Sequence, residues 1–254
     1  MEMPAETSLV DRFDWLVDWL YPPRCRACGG RIHGRDAEYF CAGCWQHIQL
    51  ITHPLCHLCG RPFPDASGDD HTCGVCLSRA PQFVAARAWA CYPRDEIEEH
   101  PLRQVVQKFK YGRRVSLGKP LGRLMARGCQ EFLGACPVDL IIPVPLHHDR
   151  ERERGFNQAC VLARELSRLG RLPIDEHSVV RRVHTERHRA GMDAKARRQS
   201  VANAFTVRHP KSIAGKRVLL IDDVFTTGAT VSACAEVLKG AGAEEVFVLT
   251  VARV

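Results

Sequence analysis

Apolar side chains at Leu9, Phe13, Leu16, Val17 and Leu20 recur every three or four residues, the spacing of one face of an amphipathic helix over residues 8–20. Tyr21-Pro22-Pro23 closes it. From Cys25 to Cys76 the periodicity fades and Cys, Gly and Pro take over, so this stretch cannot bury much of a core of its own. After Pro81 the pattern returns. Residues 83–92 read as a strand, and Leu102, Val105, Val106 and Phe109 mark one face of a helix. A second helix is predicted over 117–133. Asp139–Val144 is a short apolar run suited to a buried parallel strand. A helix over 156–169 follows, with Ala159, Leu162, Ala163, Leu166 and Leu169 inward and Gly170 at its end. Arg217–Ile221 is another buried strand, then come a loop, a helix at 229–239 and a last strand at 245–252. Strands alternating with helices predict an α/β domain with a mainly parallel sheet flanked by helices over 81–254, preceded by a small cysteine-rich unit within 1–80.

Composition narrows this picture without changing it. The 254 residues are 45% hydrophobic, which suits a soluble globular protein of one or two domains. No run of 18 or more apolar residues is present, so no membrane-spanning helix is expected. The first residues carry acids and tryptophans where a secretory signal has a basic start and a continuous apolar core, which predicts a cytoplasmic location. Charge is unevenly spread. Residues 1–80 hold 7 Lys/Arg against 10 Asp/Glu, whereas residues 101–130 hold eight basic residues and no acid. These eight are Arg103, Lys108, Lys110, Arg113, Arg114, Lys119, Arg123 and Arg127. A field of that sign attracts phosphates, although a solvated helix face has the same composition.

The cysteines form one pattern used twice. Cys25-x2-Cys28 is followed after 12 residues by Cys41-x2-Cys44, and Cys56-x2-Cys59 after 13 residues by Cys73-x2-Cys76. Two residues between thiolates let both sulfurs turn to one point, and two such knuckles complete a tetrahedron around Zn²⁺. Two structural zinc sites are therefore expected, paired either sequentially as two ribbons or in an interleaved arrangement. Zinc binding is worth roughly 10–16 kcal/mol in small finger peptides, enough to replace a missing core. Disulfides would need an oxidising compartment, and an iron–sulfur cluster is a lesser alternative. His33, His47, His53, His57 and His71 lie nearby, but four cysteines per site already satisfy the metal. Cys91, Cys129, Cys136, Cys160 and Cys234 stand singly and read as small core residues. A Zn(Cys)4 site carries about −2, so this acidic unit suits a structural or protein-binding role better than a grip on nucleic acid.

The most informative stretch is Val218-Leu219-Leu220-Ile221-Asp222-Asp223-Val224-Phe225-Thr226-Thr227-Gly228-Ala229-Thr230. A buried strand leads into two carboxylates, and a small hydroxyl- and glycine-containing turn opens a helix. Backbone N–H groups at that helix start form an anion site, to which Thr226, Thr227 and Thr230 add hydroxyl donors. Gly228 lets the backbone come close. Paired acids beside a phosphate need donors to face, and the vicinal hydroxyls of a ribose supply two. No Gly-Lys-Ser/Thr ending is present, which separates the loop from a Walker A sequence.

LLIDDVFTTGAT (residues 219–230) resembles the phosphoribosyl pyrophosphate (PRPP) signature of type I phosphoribosyltransferases. Together with LRQVVQKFKYGRR (102–114), PVPLHHDRERERGFNQ (143–158) and the eight cysteines, it makes the chain similar to the ComF family of competence-related proteins over nearly its whole length. The resemblance implies an N-terminal double zinc ribbon ahead of a phosphoribosyltransferase-like domain. It places Asp222 and Asp223 at the ribose hydroxyls, and Thr226, Thr227, Gly228, Ala229 and Thr230 at the 5′-phosphate. Pro143–His148 becomes the pyrophosphate-side loop, with Arg150 and Arg154 as cationic partners. Guanidinium groups suit phosphate oxygens because they donate in pairs, while a self-paired solvated helix start also explains DRERER. Residues 181–205 resemble a mobile loop that closes over substrate, with His188 where Gln is common and Ser200 where Asn is common. Arg187, Arg189 and Arg197 in that loop are further candidate contacts.

The implied function is binding of PRPP with Mg²⁺ in the service of DNA uptake and natural transformation, with single-stranded DNA and uptake-machinery proteins as partners. An active phosphoribosyltransferase of nucleotide salvage is one alternative. A non-catalytic DNA- or partner-binding scaffold, docking through the zinc unit or Trp15 and Trp19, is another. No residue stands out in the sequence as a general base or nucleophile.

Overall fold

The predicted strands form, and two short ones join them. In this computed structural model, which describes residues 22–32, 39–93, 99–182 and 203–254, the strands are Ala85–Cys91 (β1), Leu140–Pro143 (β2), Val179–Arg181 (β3), Phe205–Val207 (β4), Arg217–Phe225 (β5) and Glu245–Arg253 (β6). The predicted helix over 8–20 and residues 183–202 of the predicted closing loop lie outside the described residues. The main sheet has the order β1-β6-β5-β2 and is parallel at every pairing, with Ile141 beside Leu219, Leu219 beside Phe247 and Phe247 beside Ala85. All four residues of β2 and the centre of β5 are buried, as a strand covered on both faces requires. β3 and β4 pair antiparallel at the two ends of the 181–205 stretch, a hairpin-like pair that apolar periodicity did not indicate.

Among the described residues the helices are Ala42–Gln46 (α1), Gly74–Ser78 (α2), Pro101–Tyr111 (α3), Gly118–Gly128 (α4), Gln130–Ala135 (α5), His148–Arg154 (α6), Gln158–Gly170 (α7) and Ala229–Gly240 (α8). The single helix expected over 117–133 is two, broken at Cys129 with φ −117° and ψ 27°. Gly128 closes the first of them and lies so near Trp89 of β1 that a Cβ there would meet its ring at 2.3 Å.

Alternation along β5 and β6 divides the core. Leu219, Ile221, Leu249 and Val251 face α3, α4 and α7, whereas Val218, Leu220, Val246 and Val248 face α8 and the β3–β4 pair. The cysteine-rich segment straddles this division. Cys25 and Cys44, with Ile32 and Phe40, belong to the first core. Cys56, Cys59, Cys73 and Cys76, with Phe83 and Ala86, belong to the second. The stretch between the two clusters and the first knuckle of the second lie along the outer edge of β1, where the Cys91 N–H donates to the Gln49 carbonyl at 2.8 Å, the Ile51 N–H to that of Trp89 at 3.1 Å and the Ala86 N–H to that of Leu58 at 2.7 Å. An edge strand that would otherwise present unpaired backbone groups is thereby covered. No helix among the described residues is long and apolar enough to cross a membrane.

Candidate functional site

Parallel sheets place loops at the carboxyl ends of their strands, and ligands in such folds gather there. At this end β5 runs four residues past the predicted boundary, to Phe225, so Asp222 and Asp223 lie within the strand rather than after it. Strand alternation sends their side chains to opposite faces. Asp223 is buried and pairs with Lys110, from the last turn of α3, at 2.9 Å. Asp222 is half-buried on the α8 side, within the field of Arg181. It accepts from the Asp223 N–H at 2.8 Å. Burial, and then the Asp223 carboxylate, push Asp222 up to about 7, against the pull of Lys110 and Arg181. Burial opposes the charge on Lys110, but Asp223 and Asp222 overcome it and raise the ammonium above its ordinary value.

Thr226 is exposed, and Thr227, Gly228, Ala229 and Thr230 are half-buried around the start of α8. Gly228 is the N-cap in the left-handed region at φ 75°, and no side chain caps the helix there. Its missing Cβ matters twice: φ is positive, and a Cβ would meet the Phe225 ring at 2.6 Å. The Thr227 hydroxyl accepts from the Ala229 N–H at 3.4 Å, and the Gly228 cap itself supplies no side-chain acceptor to the other donors of the first turn, the arrangement an anion site needs.

The neighbouring strand β2 leads into the second loop. Val144 is held by the Ile221 carbonyl at 2.9 Å. His147 is buried and caps α6 through a contact with the Asp149 N–H at 3.4 Å. DRERER forms α6 and closes on Gly155 at φ 83°. Arg154 donates to the Gln158 Oε1 at 2.9 Å and lies over the Tyr111 ring at 5.2 Å. Arg150 is half-buried and acts through space on Arg181, as Arg154 does on Lys110. Lys110 and Arg181 thus act on the two carboxylates, and Arg154 and Arg150 act in turn on those two cations.

Three contributors were not assigned roles from sequence. Lys110 was one of eight basic residues in an acid-free stretch, and only the fold shows that it is aimed at Asp223. Asn157 caps α7 by accepting from the Ala159 N–H at 3.0 Å while donating to the Val144 carbonyl at 3.0 Å. An Asn before a helical apolar pattern is a readable N-cap signal. Gln158 donates to the Phe109 carbonyl at 3.3 Å and so joins the α3 end to α6.

The cysteines gather in sequential order, Cys25 with Cys28, Cys41 and Cys44, and Cys56 with Cys59, Cys73 and Cys76, the sulfurs of each set lying within 4.8 Å of one another. The interleaved pairing is excluded. Burial opposes a thiolate at Cys56, but the N–H groups of Cys73, Cys59 and Leu58 outweigh it and bring that thiol down to about 6. The Cys73 N–H lies 3.3 Å from its sulfur. Cys25 is brought to about 6 in the same way. Burial and the neighbouring sulfurs push Cys44 and Cys76 up. Four crowded thiols, one in each set favouring charge, fit a tetrahedral dication that takes all four as ligands, and zinc is the metal this donor set suits. Cys91, Cys129, Cys136, Cys160 and Cys234 belong to neither set.

Residues 16–77 match the double zinc ribbon domain family, and residues 154–254 match the phosphoribosyl transferase domain family. Competence protein F of Haemophilus influenzae is 33% identical over 91% of this chain and 96% of its own length. The chain belongs to the ComF family. DNA utilization protein YhgH of Escherichia coli K12 is 32% identical over 77% of the chain and 83% of its own. Competence protein ComFC of Bacillus subtilis 168 is 28% identical over 81% of the chain and 80% of its own. In this ComF-family chain the phosphoribosyl transferase match takes in α7, both acids, the Thr226–Thr230 turn and β6.

Proposed function

We propose that the chain binds PRPP at the carboxyl ends of β2 and β5 and serves DNA uptake, the process its relatives' names describe. The observation that carries this reading is the juxtaposition of Asp222 and Asp223 with the start of α8 and with two cations, Lys110 and Arg181, that act on them. PRPP needs these parts: donors for a terminal phosphate, carboxylates for vicinal hydroxyls, and cations for a pyrophosphate. Backbone N–H groups and hydroxyls from Thr226 to Thr230 hold the 5′-phosphate. Asp222 and Asp223 accept from the ribose hydroxyls, and Lys110, released from Asp223, turns to the pyrophosphate with Arg150 and Arg154. Carboxylate oxygens suit Mg²⁺, which would neutralise the diphosphate. Phosphorus NMR of Mg²⁺-PRPP with the zinc-loaded chain tests this reading. All three phosphate resonances are expected to broaden saturably, and sharp lines at every ratio would contradict it.

A second reading rests on the surface beside this site. Tyr111 at the end of α3 is 56% exposed, Arg113 and Arg114 that follow it are exposed, and so is Lys119 at the start of α4. Exposed cations with an aromatic ring suit a single strand. Single-strand binding should weaken with salt, with a log–log slope that falls by about 1–2 in Arg113→Glu/Arg114→Glu. An unchanged slope would remove this surface from consideration.

A further inference from the structure

The second cysteine cluster and the phosphate loop are joined by one buried chain of contacts. Arg253, at the end of β6, is 4% exposed. Its guanidinium donates to the Cys59 carbonyl and lies over the Phe225 ring at 4.7 Å. Phe225 ends β5, stacks edge-on against Phe83 at 6.1 Å, and fills the space under Gly228. The backbone repeats the link, because the Val254 N–H donates to the Phe225 carbonyl at 2.9 Å.

Arginine is always charged, and a buried guanidinium needs compensation. Arg253 finds it in the field of Cys59 and Cys73 and in the face of Phe225. A metal-loaded four-cysteine site carries about −2, so the loaded cluster is the natural counter-charge for this cation. When the cluster loses that charge, Arg253 has reason to move, and Phe225 and the loop above it rest on its position.

We propose that Arg253 and Phe225 are positioning residues through which the metal state of Cys56, Cys59, Cys73 and Cys76 sets the geometry of the phosphate loop and its affinity for a sugar 5′-phosphate. The affinity half of this proposal rests on the PRPP reading above. The coupling half does not.

Two measurements on the full chain separate them. In the first, both clusters are loaded with cadmium and the two sites are followed by cadmium NMR. Gly228→Ala pushes a methyl group into Phe225 from the loop side. It is expected to shift the resonance of the Cys56–Cys76 site and to leave that of the Cys25–Cys44 site in place. An unmoved second-site resonance overturns the coupling whether or not PRPP binds. In the second, zinc-loaded Arg253→Met and Arg253→Lys are titrated with Mg²⁺-PRPP. The Met variant is expected to lose roughly tenfold or more in affinity, about 1.4 kcal/mol, and the Lys variant to recover part of it. Wild-type affinity in a folded, zinc-replete Arg253→Met overturns the proposal. Failure of the wild type to bind PRPP instead overturns the ligand reading and leaves the cadmium result to decide the coupling. If Arg253→Met does not fold, Phe225→Leu replaces it in the titration with the same expected loss.

Discussion

Lys110 and Asp223 show how a charge acquires meaning from its surroundings. Both are largely buried, at 22% and 11% side-chain exposure, and they meet at 2.9 Å. Removing one partner of such a pair strands the other, at a cost of about 3–5 kcal/mol. Lys110→Met should therefore lower stability by about that amount, and adding Asp223→Asn should restore much of it. Additive losses in thermal unfolding of the double variant would contradict the pairing. Asp222 gives a prediction in pH. Its carboxyl is held up to about 7 by burial and by Asp223, above the unfolded value of about 3.9. Between those values the folded chain binds a proton that the unfolded chain has lost, so this group makes stability fall as pH rises through the window. Ribose hydroxyls donate to the ionised form, so binding of Mg²⁺-PRPP near neutrality should release a proton from Asp222. Affinity should rise between about pH 6 and 8 more steeply in the wild type than in Asp222→Asn. Calorimetry in buffers of different ionisation heat reads the release directly, and equal release in the variant would contradict the assignment.

At the scale of elements, β2, β5, β6, α3, α7 and α8 were legible because continuous apolar runs and three-to-four spacing are strong local signals. The boundaries failed where tertiary contacts decide them. β5 continues through two acids because β6 pairs with it to the end, Phe225 beside Arg253. The 117–133 pattern reads as one helix, yet it breaks at Cys129, next to the close approach of Gly128 to Trp89. β3 and β4 are three residues each, too short for periodicity to announce. Of the site itself, the acid pair and the Thr226–Thr230 turn were visible as a motif, while Lys110 and Gln158 were not assigned because their partners, Asp223 for the one and Phe109 for the other, lie far along the chain; the N-cap signal of Asn157 was readable, but its bond to Val144 depends on the fold. Packing also makes a prediction here. A Cβ at Gly118 would approach Val161 at 2.1 Å, and one at Gly122 would meet Glu165 at 3.0 Å, so α4 and α7 touch at two glycines. Gly118→Val should overpack this contact and cost about 1–3 kcal/mol in chemical unfolding. An unchanged midpoint would show that the helices do not meet there.

Over the whole molecule, the cysteine clusters are not an appendage. One contributes to the core on the α3–α4–α7 face and the other to the core on the α8 face, and the segment between them covers the edge of β1. The two four-cysteine groups were legible from spacing alone, because the chemistry of a tetrahedral site fixes that spacing. Their division between two faces of a sheet depends on the fold and was not. Zinc chelation should accordingly bring down the unfolding of the sheet itself, read by thermal melting of the strand signal. A sheet that melts unchanged after both metals are stripped would show that the clusters are separable from it.

The central claim is that the acid pair on β5 binds the ribose of PRPP. Calorimetric titration of the zinc-loaded chain with PRPP and Mg²⁺, beside the Asp222→Asn/Asp223→Asn variant, tests it most directly. Saturable one-site binding by the wild type, lost in a variant that still folds and holds its zinc, is the predicted result. No binding by the folded wild type, or equal binding by the variant, would contradict it.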